Sequence, residues 1–130
     1  MKNSVKKKLT PLPKLLKKAQ TVFNAHVRER DKDLGCISCG AEVQQAGHYF
    51  SQGNHSALRF GLPHSFAYMN TNGQCIKCNM YLHGNLIRYR QGLVSKYGED
   101  EVLKLEEEAD NNRTKKWSRD ELEIIIETYK

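Results

Sequence analysis

Leu16, Ala19, Phe23 and Val27 recur at helical spacing near the start of the chain. Pro11 and Pro13 stand just ahead of them, where a first helical turn tolerates proline, so the spacing predicts a helix over roughly 14–31. Lys14, Lys17, Lys18, Arg28 and Arg30 cover much of the remaining surface of that helix. The same periodicity returns at the other end. Ser118 and Glu121 form a capping box that opens a last helix, with Leu122, Ile125, Ile126 and Tyr129 along one face. A further helix is expected over about 99–110, carrying Val102 and Leu105 inward and ending at Asn111 and Asn112.

The middle of the chain reads differently. Residues 36–51 suit a short hairpin, and 57–60 another short strand. Residues 61–74, rich in Gly, Pro, Asn and Ser, read as loop. From the second cysteine pair a helix is expected to run to Gly98, broken near Gly84.

Within its 130 residues the chain is 38% hydrophobic and 28% charged, which makes one domain with a small core that a structural metal would reinforce. No apolar run is long enough to span a bilayer, and the basic N-terminus lacks the apolar stretch of a signal peptide. Charge changes the picture further. Residues 1–30 carry nine Lys/Arg against Glu29 alone, residues 31–80 balance, and residues 81–130 are slightly acidic, for a formal net charge of +6. A flexible basic arm over 1–13, joined to a neutral centre, is the electrostatic footprint of a protein that meets a polyanion. The expected organisation is that arm followed by a single domain over 14–130, its metal core spanning about 36–98.

The centre holds two Cys-x-x-Cys pairs, Cys36/Cys39 and Cys75/Cys78, and no other cysteine. Each pair has the tight-turn spacing that lets two thiolates grip one ion, and four sulfurs close a tetrahedral zinc site. A structural zinc is therefore expected, and disulfides or a redox pair fit less well. One knuckle on a hairpin and a second opening a helix correspond to a treble-clef arrangement. An all-thiolate site is closed, so chemistry would fall to residues around it.

His48 lies on the expected hairpin strand, where a neutral imidazole could take a proton from water during phosphodiester hydrolysis. Asn70, five residues before Cys75, is placed to hold the other ring nitrogen through its amide oxygen. A divalent cation, magnesium or manganese, would polarise the phosphate, with Asn79, His83 and Asn85 as candidate ligands. His55 and His64 are left as surface or substrate-contact residues, and His26 falls outside the site.

This order of residues resembles the HNH nucleases and their ββα-metal centre. The strings AGHYFSQGNHSALRF, NGQCIKCNMYLHGN and VRERDKDLGCISCG are more specifically similar to the phage NinG/Rap recombination-protein family, from about Leu12 to the last helix. The resemblance implies a structure-directed endonuclease acting on branched DNA recombination intermediates with a divalent ion, in the cytoplasm of a bacterial host. It aligns His48 with the first HNH histidine and Asn70 with the central asparagine. The chain departs at the third position, where Asn79 follows the last cysteine, and at Gly47, which leaves the catalytic ion sparsely ligated.

Lys14, Lys17, Lys18, Arg59, Arg88 and Arg90 are the candidate phosphate contacts, arginine because it clamps phosphate bidentately. For Arg88 and Arg90 the competing role is pairing with the acids of 99–108. No helix carries residues spaced for base readout, so shape and backbone recognition are expected. The expected fold is α+β, an HNH-like zinc centre flanked by N- and C-terminal helices, and the expected function a DNA endonuclease, for which a homodimer would let two strands be nicked. The alternatives are a zinc-dependent nucleic-acid-binding module without catalysis, and an interaction scaffold built on the last helix.

Overall fold

In the computed structural model, which describes residues 9–130, the first helix, α1, runs over Leu12–Asp31. It begins two residues earlier than the periodicity suggested, with proline in its first turn, where no N–H is required. The first eight residues of the expected basic arm lie outside the described residues. Leu15, rather than Leu16, joins Ala19, Phe23 and Val27 in the buried row, and Leu16 packs at its edge.

The last helix, α5 (Arg119–Tyr129), lies against α1 and opens with the expected capping box: Ser118 Oγ accepts from the Glu121 N–H, and the Glu121 carboxylate accepts from Ser118. Leu122, Ile125 and Ile126 pack with Phe23 and Phe60, and the Phe23 ring stands edge-on to Phe60 and Tyr129 at 6.3 and 5.2 Å.

The sheet departs from expectation. Strand β1 (Gln45–His48) pairs antiparallel with β2 (Thr71–Gln74), in the register Gln45 to Gln74 and His48 to Thr71. The segment 36–51 therefore does not fold as a hairpin on itself, and 61–74 is not loop. It contains the short helix α2 (Phe66–Asn70), whose first turn is capped by Ser65 Oγ, and the whole of β2. The expected strand at 57–60 is a 3-10 turn over Ser56–Leu58, because Leu58 and Phe60 enter two different apolar clusters and not one sheet face.

β2 is fully buried, yet Thr-Asn-Gly-Gln contains no apolar side chain. Burial is tolerated because most of the polar atoms are hydrogen-bonded, Gln74 Oε1 being the one in this strand that finds no partner among the described residues. Asn72 donates to Met69 O and accepts from Lys96 Nζ at 2.7 Å, and Gln74 Nε2 donates to Ser38 Oγ and Gly84 O at 2.9 and 2.8 Å. Asp31, at the end of α1, accepts a two-pronged bond from Arg30 and further bonds from Gly73 N–H and Lys96. Burial opposes ionisation of Asp31, but the Arg30 fork and the Gly73 amide outweigh it and hold the carboxyl below the usual range.

The chain from the second cysteine pair forms a π-helical turn over Lys77–Tyr81 and breaks at Gly84, as expected, with His83, Gly84 and Asn85 all at positive φ. Two further helices follow, α3 (Leu86–Tyr97) and α4 (Glu99–Asn111). Tyr89 and Leu93 of the first pack against Val102, Leu105 and Ala109 of the second. Gly92 lets α3 approach the first cysteine knuckle: a Cβ there would stand 2.0 Å from the Ile37 carbonyl. The result is a mixed fold, helices around a two-stranded sheet, and among the described residues no helix is long and apolar enough to cross a membrane.

Candidate metal centre and adjoining cleft

Cys36 and Cys39 sit on the tight turn after α1. Cys75 follows β2, and Cys78 lies in the π turn. Their sulfurs all lie within 4.8 Å of one another, and Cys39 and Cys75 are 3.6 Å apart. A disulfide needs about 2.05 Å. A tetrahedral ion with metal–sulfur bonds of about 2.3 Å separates its sulfurs by about 3.8 Å, so the set fits a metal ion and not a cross-link. Polar groups turn toward the sulfurs: the Cys78 N–H to Cys75 at 3.4 Å, and Asn85 Nδ2 to Cys78 at 3.5 Å. Burial pushes the Cys78 thiol up to about 12. At Cys75 burial acts the same way, but hydrogen bonds from the Cys78 N–H and the neighbouring thiols overcome it and bring the group to about 7. Four such thiols in contact favour an ion that ionises all of them together.

Beside this centre a cleft of about 340 Å³ is lined by Asn24, Ala46, His48, Ser51, Gln52, Asn79, His83 and Gly84. Three candidate residues thus converge: His48 from the end of β1, Asn79 from the π turn, and His83 from the loop after it. Asn85 does not join them, since its amide faces the Cys78 sulfur. It belongs to the surroundings of the cysteine centre.

Asn70 does not reach the His48 ring. It is fully buried, accepts from the Phe50 N–H at 2.9 Å, and donates to the carbonyls of Phe50 and Leu58 at 3.1 Å each. It therefore ties the chain that leaves β1 to the 3-10 turn. The His48 ring is instead bonded through Nε2 to the Arg59 carbonyl at 2.9 Å. Asn70 thus acts on His48 indirectly, by fixing the segment that presents this carbonyl. Burial lowers the His48 pKa below the ordinary histidine value. The bond to Arg59 O opposes the shift and the Arg59 charge adds to it, which leaves the ring neutral at pH 7.

Gly47 is held from three sides. A Cβ there would stand 1.8 Å from Gln74 Oε1 and 3.0 Å from Asn79 Oδ1, and its carbonyl accepts from the buried Tyr89 hydroxyl at 2.7 Å. Any side chain before His48 would have to displace the Gln74 carboxamide, whose Nε2 is bonded to Ser38 and Gly84.

The phosphate candidates divide. Lys14, Lys17, Lys18 and Arg88 are exposed. Arg90 is engaged by Glu106 and Glu99, so the competing role holds for it. Arg59 is half-buried: its Nε donates to Gln20 Oε1 at 2.9 Å and its guanidinium lies over the Phe60 ring. Of the other histidines, His64 is exposed, whereas His55 packs against Phe50. His26 lies away from the cleft, bonded to the Tyr68 hydroxyl at 2.9 Å. Sequence reasoning missed Asn24, Ser51, Gln52, Gln74 and the Arg59 carbonyl. Ser51 and Gln52 directly follow the β1 turn and were within reach of it; a backbone carbonyl leaves no trace in residue identity.

Comparison with known proteins places these features in a family. The family model described as Bacteriophage Lambda NinG protein matches residues 1–130. A protein ninG of Escherichia phage lambda is 36% identical over 124 residues, covering 93% of this chain and 56% of that protein. A protein ninG of Salmonella phage P22 is 34% identical over 124 residues, with 93% and 57% coverage. The chain thus spans little more than half the length of these relatives. No solved structure matches it significantly.

Proposed function

This chain belongs to the bacteriophage lambda NinG family, and from that premise we propose that it is a phage recombination protein, a zinc-stabilised and metal-dependent DNA endonuclease of the HNH type. The four cysteines hold the zinc in a treble-clef setting, closed to substrate. The observation that carries the catalytic reading is the bond between His48 Nε2 and the Arg59 carbonyl. A carbonyl can only accept, so Nε2 carries the proton and Nδ1 keeps its lone pair.

In this reading Nδ1 of His48 takes a proton from a water molecule in the cleft, the water oxygen attacks the scissile phosphorus, and the leaving sugar oxygen recovers a proton from solvent. Asn79, through its carbonyl oxygen, and His83 are the residues that would hold a magnesium or manganese ion. Such an ion supplies positive charge to the scissile phosphate and the leaving oxygen. Both residues are neutral, so alone they would hold such an ion weakly. The exposed lysines of α1 and Arg88 contact backbone phosphates, which gives affinity without base readout. Branched DNA in the bacterial host cytoplasm is the substrate, and a homodimer provides two clefts for two strands.

A second reading is favoured by one observation: among the described residues no carboxylate lines the cleft. A zinc-built DNA-binding module needs neither His48 nor an ion beside it. Cleavage of a labelled four-way junction and of linear duplex, with magnesium or manganese, separates the two. His48→Ala, with its zinc content verified, is expected to lower junction cutting at least about 100-fold. Binding without cutting by the wild-type chain would leave the module reading.

A further inference from the structure

Five of the large hydrophobic residues that the fold leaves exposed fall within one eight-residue stretch: Met80, Tyr81, Leu82, Leu86 and Ile87. Tyr81 and Ile87 stand furthest out, at 75% and 80% exposure. The stretch runs between two depressions. Asn79, His83 and Gly84 line the His48 cleft, while Leu86 and Ile87 line a groove with Tyr49, Gln91 and Val94. It is therefore a ridge along the edge of the candidate site. Its conformation is well determined: Leu82 N–H bonds to Lys77 O, Gly84 N–H to Cys78 O, and Asn85 N–H to Leu82 O, each at 2.8 Å. The turn at its centre keeps three successive residues at positive φ, two of them not glycine, and such strain concentrates at functional positions.

Apolar exposure on this scale marks a contact surface. The charge around it indicates the partner. The groove's Glu99 is paired with Arg90 at 3.1 Å, among the described residues no other Asp or Glu lines either depression, and Lys77 and Arg88 flank the ridge and are both exposed. A surface that joins aromatic and aliphatic side chains to cations, next to a cleft of phosphodiester chemistry, suits unstacked nucleobases on a polyanionic backbone. An acidic protein would match the charge alone. We propose that the ridge Met80–Ile87, led by Tyr81 and Ile87, packs against unpaired or unstacked bases next to the strand lying in the His48 cleft, and so selects DNA with interrupted stacking. The proposal rests on the nuclease reading for the position of the strand, but not for the contact itself.

The test is fluorescence anisotropy with two labelled DNAs of equal length, an uninterrupted duplex and one carrying a three-nucleotide bulge. Wild type is compared with the double variant Tyr81→Ser/Ile87→Ser, both sites being exposed enough to leave the fold intact. His48→Ala serves as a catalytic control, and sedimentation is run in parallel. Wild type and His48→Ala should favour the bulged DNA about tenfold, in line with one or two stacked bases. The double variant should lose that preference, keep its duplex affinity, and retain its zinc. No preference in wild type, or an undiminished one in the double variant, overturns the proposal. So does a double variant that changes only its association state, since the ridge would then be a protein interface. A preference that depends on the ridge in a chain that never cuts DNA would overturn the nuclease reading and leave this one standing.

Discussion

The α1–α5 layer and the sheet–cysteine centre bury their side chains by opposite means. In the layer, Phe23, Phe60, Leu122 and Ile125 meet as apolar surface, and three aromatic rings, Phe60, Tyr68 and Tyr129, stand edge-on to Phe23. In the centre, β2 is completely buried without an apolar residue, and Asn70, Asn72 and Gln74 are held by hydrogen bonds. Apolar contact is non-directional and survives small displacements. A buried amide that loses its partner carries the full cost of desolvation, so the polar centre has far fewer acceptable arrangements. The cleft is built on the second kind of region, where His48 is bonded to the Arg59 carbonyl at 2.9 Å and Asn79 to Gln45 Oε1 at 2.8 Å, while His83 stands exposed at its edge. The proposed chemistry, which needs a base and an ion in register, would gain from that rigidity.

Removing the metal is the strongest way to break this comparison. Cys78→Ser, or dialysis of the wild type against a chelator, should release the centre, since a structural zinc contributes an apparent binding energy of about 10–16 kcal/mol to such a site. Hydrogen exchange is expected to quicken first at the β1–β2 amides, including Gly73 N–H, while the amides of α1 and α5 stay protected longer. Equal loss of protection in both would mean that the two regions form one cooperative unit.

Two substitutions of nearly matched size sharpen the contrast. Phe23→Ala should destabilise the chain by about 3–5 kcal/mol through a cavity in the layer. Asn70→Ala should destabilise it by about 3 kcal/mol, because the Phe50 N–H and the carbonyls of Phe50 and Leu58 are left without partners. They differ in what they do to the cleft. The imidazole nitrogen resonances of His48 report its tautomer. They should shift in Asn70→Ala, where the Arg59 carbonyl is no longer held in place, and stay constant in Phe23→Ala.

The same division decides how much could be read from residue identities. α1, α4, α5 and the capping box follow from periodicity and end signals, because packing there obeys the 3.6-residue repeat. The cysteine set was legible from spacing, and the break at Gly84 from a helix-breaking residue. β2 was not, since Thr71–Gln74 has neither alternation nor apolar content, and its strand state depends on partners distant in the chain: β1, Ser38, Gly84 and Lys96. His48 does line the cleft, but its ring is bonded to the Arg59 carbonyl and not to Asn70; a side-chain amide is visible in a sequence and a backbone carbonyl is not. Asn85 was misplaced for a related reason: its left-handed conformation turns its amide toward Cys78.

The smallest effect concerns acid, and it belongs to the apolar layer. His26 lies on α1 against the Tyr129 ring at 4.6 Å, with Nε2 bonded to the Tyr68 hydroxyl. Burial lowers its pKa, the Arg30 charge adds to the shift, and Asp31 only partly offsets it. The native chain therefore accepts a proton at His26 only below the ordinary value of 6.5, where the unfolded chain already holds one. This contribution to stability is complete above pH 6.5. It declines as pH falls from 6.5 to the folded pKa, and is constant below that. His26→Gln removes the titration while retaining a group that can bond Tyr68. Between pH 7.5 and 5, with zinc supplied throughout, the variant should lose less Tm than wild type. The remaining slope common to both includes His48 and His55, whose pKa values burial also lowers. Identical pH profiles would show that the tyrosines do not desolvate His26, and that the acid response of the whole molecule resides in its polar centre.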